Sequence, residues 1–358
     1  MKLALIVPGD LELQPYVFYY TSVLDRNSIN YEYIQWCRDM TNKDFFNNKK
    51  VVSLGNKSSI KKNNILKIID YYTFSREVIN YIKKNKFDFL VVFTIPNALF
   101  LKRFLMRQYR SRFIFDIRDY SLMNIFFKKS IEAVITNSLF TTVSSTGFLK
   151  WLPKNYSYTL SHNIAKSSLI FSCDDDIILN CDPLKLLTIG RIRDYEVNKN
   201  IIKILAEKTN MQLIIVGVGH VKDKLERYFF SKFNNVIFGG FYNKNEELQI
   251  VKAANMINLI MPNNTLSCTL MSNRFYSGIN YRRPLIVNEN SHHANYVHKY
   301  NLGIVLKSYK NMYTDIIKYT KSFDQKIFKK GCDDLIAEIN NDILVFESKL
   351  ISSFNHTN

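Results

Sequence analysis

The stretch LSCTLMSNRFYSGINYRRPLIV, Leu266 to Val287, carries Arg274, Arg282 and Arg283 and no acidic residue to neutralise them. A second basic group stands earlier, where Arg191 and Arg193 follow Gly190 and Lys199 opens the next helix-like segment. Cations in such numbers suit an anion. A glycine lets the backbone approach one, and a helix N-terminus adds partial positive charge of its own. The competing reading is local: one of the arginines pairs with Asp194 or Glu196 on the surface. Basic groups at a strand end of an α/β fold favour the anion.

Two further sets of residues bear chemistry. Gly9 and Asp10 after Pro8, and the run Asp116, Arg118, Asp119, fall where strands are expected to end. An Asp and an Arg two apart can orient hydroxyl groups by charge-assisted hydrogen bonds, and an Asp can act as base. A structural network among Asp116, Arg118 and Asp119 is the alternative. His292, His293 and His298 form an H-H-x(4)-H pattern that lacks the carboxylates or cysteines of a zinc site, so surface or rim positions and no metal are expected. His162, beside Asn163, is the better candidate for a binding cleft. His220 faces either a ligand or solvent. The consecutive acids Asp174, Asp175 and Asp176 read as a solvated loop, because three adjacent carboxylates do not converge on one ion without a defined turn.

The wider composition sets bounds on these groups. A chain of 358 residues suits two domains, each with its own core. Its formal charge of +18 permits phosphate-bearing small molecules, an anionic membrane surface or nucleic acid as partners. Richness in Lys, Asn, Ile, Phe and Tyr together is also what A+T-rich coding DNA produces without selection on charge. The aromatics sit in apolar patterns and do not alternate with Lys and Arg on an RNA-binding motif, which argues against nucleic acid. The five cysteines, Cys37, Cys173, Cys181, Cys268 and Cys332, show no C-x-x-C spacing, as suits a reducing cytoplasm. MKLALIVPGD breaks too early for a signal peptide. FLVVFTIPNALFL, interrupted by Pro96, falls short of the ~20 apolar residues of a membrane helix. The expectation is a soluble protein, at most peripheral to a membrane.

The elements that must position these groups follow from hydrophobic pattern. KLALIVP, NSINYEYIQW, FDFLVVFTI, RFIFDIRD and TTVSS read as strands. PYVFYYTSVLDRNSI, SREVINYIKKNK, NALFLKRFLMRQYRS and FFKKSIEAVITNS read as helices between them. Apolar runs without strict alternation indicate parallel strands covered on both faces. Periodicity lapses near Ser161 to Pro183. A second series then begins, with strands LKLLTIG, MQLIIVG, NNVIFGG, INLIMP, PLIVN and GIVL separated by helices, before a final helix IFKKGCDDLIAEINNDILVFESKLI. The expected class is α/β, two doubly wound domains facing a central cleft: residues 1–168, a connection 169–183, residues 184–335, and a C-terminal helix 336–358 packing back on the first domain. Ligands in such folds sit at the carboxyl ends of the strands.

The run from Leu186 to Pro262 resembles the donor-binding domain of GT-B glycosyltransferases of the retaining, family 4-like type found in capsule and O-antigen clusters. It reads strand, G-R, helix with a basic residue, strand with G-x-G, helix, N-V-x-F-x-G, E-L, then A-N-M before another strand. The resemblance is sharp from Leu186 to Leu306. It is weaker earlier, where FIFDIRDY, VSSTGFLKWLP and SHN are similar to the acceptor-side domain. It implies a sugar transferred from a nucleotide-diphosphate sugar to a growing, lipid-linked surface polysaccharide at the inner face of the membrane. It also implies no metal, no cofactor beyond the co-substrate, and proton transfer to the leaving phosphate.

The same resemblance assigns residues. An arginine after the glycine and a lysine further on hold the diphosphate; Arg191 has the adjacent place, Arg193 fits a G-x-x-R form, and Lys199 sits later than usual, with Glu196 nearer the expected position. Gly217 and Gly219 form the G-x-G turn. Gly240, Phe241 and Tyr242 border the nucleobase, with core packing the alternative for Phe241. Asn273, Arg274, Tyr276 and Ser277 match the helix entering N-(K/R)-x-(F/Y)-(E/D). Two glutamates of the family pattern are replaced by Thr269 and Ser277, the second where relatives grip the ribose. Arg274 is then the candidate donor contact, and Arg282 and Arg283 are expected to be solvated. On the acceptor side stand Gly9, Asp10, Asp116, Arg118, Asp119 and His162. Lys61, Lys62 and Leu101 to Arg112 offer charge to anionic lipid. A nucleotide-sugar epimerase, a donor-binding protein without catalysis, and a non-enzymatic basic protein binding anionic polymers are the alternatives.

Overall fold

The computed structural model describes residues 1–11, 14–36, 45–46, 48–55, 64–164 and 176–355. The chain divides into two compact units, Met1–Lys166 with Asn341–Asn358, and Ser167–Asn340. Residues Cys37, Lys61, Lys62, Cys173, Asp174 and Asp175 lie outside the described residues.

The first unit holds β1 (Lys2–Val7), α1 (Pro15–Arg26), β2 (Asn30–Trp36), β3 (Phe45–Phe46), β4 (Lys49–Leu54), α2 (Asn64–Asn85) and β5 (Phe89–Phe93). It continues through α3 (Ile95–Gln108), β6 (Phe113–Ile117), α4 (Met123–Phe126), α5 (Lys128–Asn137), β7 (Phe140–Val143) and β8 (Tyr158–Leu160). The strands form one eight-stranded sheet in the order β3-β4-β2-β1-β5-β6-β7-β8. All pairs are parallel except β3 with β4. Residues Leu3 to Val7 are fully buried, as expected of a central parallel strand covered by helices on both faces. The chain winds outward from β1 to β4 and returns to β5 beside β1, so the order reverses between these two strands.

The second unit contains β9 (Leu184–Arg191), α6 (Tyr195–Leu205), β10 (Met211–Val218), α7 (His220–Phe229), β11 (Val236–Gly239), α8 (Glu247–Lys252) and β12 (Met256–Asn258). Then come α9 (Asn273–Asn280), β13 (Leu285–Asn288), α10 (His292–Tyr300), β14 (Gly303–Leu306), α11 (Met312–Lys321) and α12 (Gln325–Asn355). Its parallel six-stranded sheet runs β11-β10-β9-β12-β13-β14, with the reversal between β9 and β12.

The strand and helix rhythm read from the sequence matches these elements, with instructive differences. Beyond SREVINYIKKNK, α2 extends upstream, where Phe74 stacks on Trp36 at 5.3 Å; a tertiary contact holds turns that local pattern did not mark. The segment FFKKSIEAVITNS is broken at Phe127 into α4 and α5. Hydrophobic pattern does not mark strands β3, β4 and β8 or helix α11, because each is short or lacks a strong period. The C-terminal part of α12 belongs to the first unit, where Phe346 packs against Tyr19 and Tyr20 and Phe354 against Phe89. Its spacing is helical: Ile343, Phe346, Leu350 and Phe354 are all buried.

One polar network is enclosed in the first unit. Asp116 is fully buried and its Oδ2 accepts from the Tyr20 hydroxyl and from Arg118 Nη2, each at 2.5 Å. Arg118 also donates to the Ser161 carbonyl at 3.0 Å and lies over the Tyr16 ring at 4.5 Å. Burial draws the Arg118 pKa down, but Asp116 and Tyr20 outweigh it and the net direction is upward. A buried pair of this kind ties β6 to β8 and α1. Asp116→Ala should cost about 3–5 kcal/mol in denaturant unfolding of the full chain, since Arg118 would be left buried and uncompensated. The pair Asp116→Leu with Arg118→Met should recover most of that loss.

Candidate functional site

The reversal point of the second sheet brings four segments together. Gly190 and Gly217 stand opposite each other in the β9–β10 register. A Cβ on Gly217, at φ +137°, would lie 1.8 Å from the Gly190 carbonyl oxygen, so the glycine is required by the neighbouring strand. Gly219, at φ +132°, then opens α7. The G-x-G pattern is therefore accounted for by the approach of two backbones at the carboxyl ends of their strands.

Arg274, the second residue of α9, reaches across this reversal. Its Nε donates to the Ile189 carbonyl and its Nη2 to the Arg191 carbonyl at 3.0 Å, closing the end of β9. Among the described residues it forms no ion pair. Burial first, then repulsion from Arg193, lowers its pKa to about 10, with Tyr242 and Asp194 acting the other way. The group stays charged at neutral pH, and its charge is poorly compensated. Arg193 is exposed, and Asp194, which precedes α6 in a left-handed conformation, feels both arginines. An anion placed here would relieve two cations together.

A carboxylate completes the group. Glu247 is 5% exposed, accepts from the Ser277 hydroxyl at 2.7 Å and pairs with Lys244 at 2.6 Å. Burial, with the Glu247 charge next, pushes the Tyr242 phenol up to about 12, while Arg274 pulls it down. Tyr242 thus stands between an acid and a guanidinium, and its hydroxyl would be 3.8 Å from a Cβ on Gly190. Ser277, which stands where the resemblance leads one to expect a glutamate, has a carboxylate beside it, supplied by the neighbouring α8. Glu247 opens the E-L pair of the motif series thirty positions from Ser277, and spacing along the chain does not mark it as the carboxylate beside that serine. The signal was present in KNEELQ, where an acid follows the aromatic loop.

The other expected donor-side residues divide. Phe241 is 76% exposed, so core packing is excluded for it, and Gly240 borders open space. Arg191 and Asn273 are exposed, and Tyr276 is buried against Phe275 as core. Lys199 is held elsewhere: its ammonium pairs with Glu196 at 3.7 Å and lies 5.3 Å from the ring centroids of both Tyr195 and Tyr228. No contact among the described residues joins it to Arg274. Arg282 and Arg283 are not solvated, contrary to expectation, but 4% and 7% exposed. Arg282 pairs with Asp333 at 2.5 Å, and Arg283 donates to the Ala254 and Lys252 carbonyls at 2.7 and 3.0 Å, stapling the end of α8. Thr269 is buried and bonds the Thr265 carbonyl at 2.7 Å.

The histidines also correct the expectation of surface positions. His292 and His293 are 6% and 0% exposed, whereas His220 and His298 face solvent. His293 Nε2 accepts from the Ser272 backbone N–H at 3.1 Å, fixing the start of α9 and therefore Arg274.

In the first unit, Gly9 and Asp10 are buried beyond the end of β1, and Asp119 is exposed beyond β6. Asp116 and Arg118 pair with one another in the interior, while Asp116 Oδ1 and Arg118 Nε are buried without a hydrogen-bond partner among the described residues. His162, 5% exposed, is bonded to Asp342 of α12 at 3.0 Å.

No family model and no curated protein matches the chain. Solved structures do. A sucrose-phosphate synthase from Thermosynechococcus elongatus matches over 100% of this chain and 98% of its own at 13% identity and TM-score 0.72. The lipopolysaccharide outer core galactosyltransferase WaaB matches over 96% and 99% at 15% identity and TM-score 0.64. HepE of Anabaena, in complex with UDP-glucose, matches over 99% of both chains at 11% identity and TM-score 0.66. UDP-N-acetylglucosamine 2-epimerase from Rickettsia bellii matches over 97% of this chain and 97% of its own at 11% identity and TM-score 0.58. The chain has the GT-B fold, with two Rossmann-like units.

Burial, then the charges of His292 and Arg274, lower the His293 pKa from 6.5 to about 3. The unfolded chain therefore binds a proton between these values that the folded chain excludes. Stability should be fully present above about pH 6.5 and fall as pH drops toward 3, by up to ~1.4 kcal/mol per unit from this group. Urea unfolding of His293→Gln against pH should show a shallower acid-side decline.

Proposed function

We propose that the chain is a glycosyltransferase that takes a hexosyl group from a nucleotide-diphosphate sugar and passes it to a growing, lipid-linked surface glycan. The observation that carries this reading is the part-buried, poorly compensated Arg274 at the reversal point of a Rossmann-like sheet. Ligands of such sheets sit at that crevice. The GT-B fold and its occurrence in a UDP-glucose complex support the choice of donor.

In this reading the donor diphosphate lies against Arg274 and Arg193. As the bond from the anomeric carbon to the phosphate oxygen breaks, negative charge grows on the leaving diphosphate. Preorganised cations lower the barrier there. The acceptor hydroxyl attacks the anomeric carbon and its proton passes to the leaving phosphate, so no protein nucleophile is needed and configuration is retained. Phe241 offers an exposed face on which a nucleobase stacks. Glu247, steadied by Ser277 and Lys244, accepts hydroxyl protons of the ribose or sugar. Gly9, Asp10, Asp119 and His162 remain the acceptor-side candidates.

Purified full-length chain should show a thermal shift with at least one nucleotide sugar and release nucleotide when a lipid-linked acceptor is added. Absence of both, over a panel of donors, would sink the reading; release of a free sugar or an isomer without acceptor would favour an epimerase. Arg274→Ala and Arg193→Ala should each lower turnover by roughly 100-fold or more, the scale of a lost transition-state charge contact. Lys199→Ala should change it little, because its ammonium is engaged with Glu196 and two aromatic rings. Glu247→Gln should weaken donor binding by about 10-fold, measured by calorimetry, in line with a lost charged hydrogen bond.

A further inference from the structure

The first unit bears an apolar and basic surface that neither its core nor the proposed donor site uses. Leu122, Ile125, Phe126 and Phe127 are 69%, 55%, 78% and 49% exposed. Single exposed apolar residues are ordinary, but four within six positions are not. Helix α4 is inverted with respect to solvent: of its residues Met123, Asn124, Ile125 and Phe126, the asparagine is the buried one. Asn124 is 5% exposed, and neither its amide oxygen nor its amide nitrogen has a hydrogen-bond partner among the described residues. A polar group turned inward without a partner, while Ile125 and Phe126 turn outward, has no stabilising account within the folded chain.

Charge accompanies the exposed apolar groups. Lys128 and Lys129 follow Phe127 directly and are exposed, as are Leu149, Lys150 and Lys154 in the segment after β7. The two segments meet: Tyr120 packs edge-on against Trp151 at 5.4 Å, and a cavity of about 340 Å³ between them is lined by Asn124, Lys128, Ile131, Trp151, Leu152 and Lys154. No acidic residue occurs from Tyr120 to Ile131 or from Ser144 to Tyr158. Glu132, at the cavity edge, accepts from the Tyr156 hydroxyl at 3.2 Å.

We propose that this face docks the protein on an anionic lipid bilayer. Leu122, Ile125, Phe126 and Phe127 enter the interfacial layer, Lys128, Lys129, Lys150 and Lys154 meet lipid phosphates, and the cavity beside Asn124 receives a phosphate-bearing headgroup. Large apolar side chains projecting beside lysines are the composition that binds such a surface, where each lysine contributes through the surface potential. An acidic protein would also meet the lysines, but it would not favour four protruding apolar side chains on a short turn over a flat or grooved contact. The basic stretch Leu101 to Arg112 is a poorer contact: Lys102 is tied to Ser130 at 3.0 Å, and the exposed Arg107, Arg110 and Arg112 lie at the other end of α3, toward the amino end of β6. This inference extends the proposed lipid-linked acceptor, but none of its observations comes from the donor site.

The test is co-sedimentation of the full chain with vesicles of phosphatidylcholine alone or mixed with phosphatidylglycerol. Binding should require phosphatidylglycerol and weaken at high salt. Lys128→Glu and Lys129→Glu should each reduce it at least about 5-fold, and Phe126→Glu with Phe127→Glu by about 10-fold or more. All variants should keep the wild-type unfolding temperature and thermal shift with nucleotide sugar. The proposal is overturned if the wild-type chain ignores anionic vesicles, or if the variants bind them as well as it does. It is also overturned if the phenylalanine pair instead converts a dimer to a monomer, which would make the face a contact between copies. Loss of the nucleotide-sugar response with vesicle binding intact would strike the proposed function and leave this surface standing.

Discussion

The guanidinium of Arg274 closes the end of β9 by donating to two of its carbonyls, and the arrangement of the donor-side residues depends on that closure. A strand end needs partners for its carbonyl oxygens, and a side chain from α9 provides them across the reversal of the sheet. The same contact fixes a positive charge where ligands of such sheets bind. It also brings Arg193, Asp194 and Tyr242 within electrostatic reach of one another. Structural and binding roles therefore fall on one group, which is held from below by His293 through the start of α9.

Compensation in this region is unequal. Arg282 and Arg283, a few residues on, are buried with a carboxylate or several carbonyls each, and their charge is spent on α8, α12 and the turn between α9 and β13. Among the described residues, Arg274 donates to backbone carbonyls alone. Lys199 is drawn to Glu196 and two aromatic rings. Of the cations near the strand ends, Arg274, Arg193 and the exposed Arg191 have no carboxylate partner among the described residues.

The first unit uses charge differently. Asp116 and Arg118 neutralise one another inside the fold, and Arg118 joins the end of β6 to Ser161 just beyond β8. On its surface, the apolar turn of α4 and the lysines beside it are exposed. Interior pairing and surface display are both readable as consequences of where each parallel strand ends.

The sequence determined the class of fold, because unbroken apolar runs alternating with helical patterns leave few arrangements besides parallel sheets with covered faces. It also marked Gly190, Gly217, Arg193 and Arg274, since glycine and unneutralised arginine are visible in one dimension. Short elements such as β3 and β8 escaped, because a strand of two or three residues carries no period. Only tertiary structure decided which arginines are free, as Asp333 lies 51 positions from Arg282 and the Lys252 carbonyl 31 from Arg283. It likewise decided that Glu247, thirty residues away, supplies the carboxylate beside Ser277. Charge compensation is a matter of distance in space, and spacing along the chain measures that distance only within a single element.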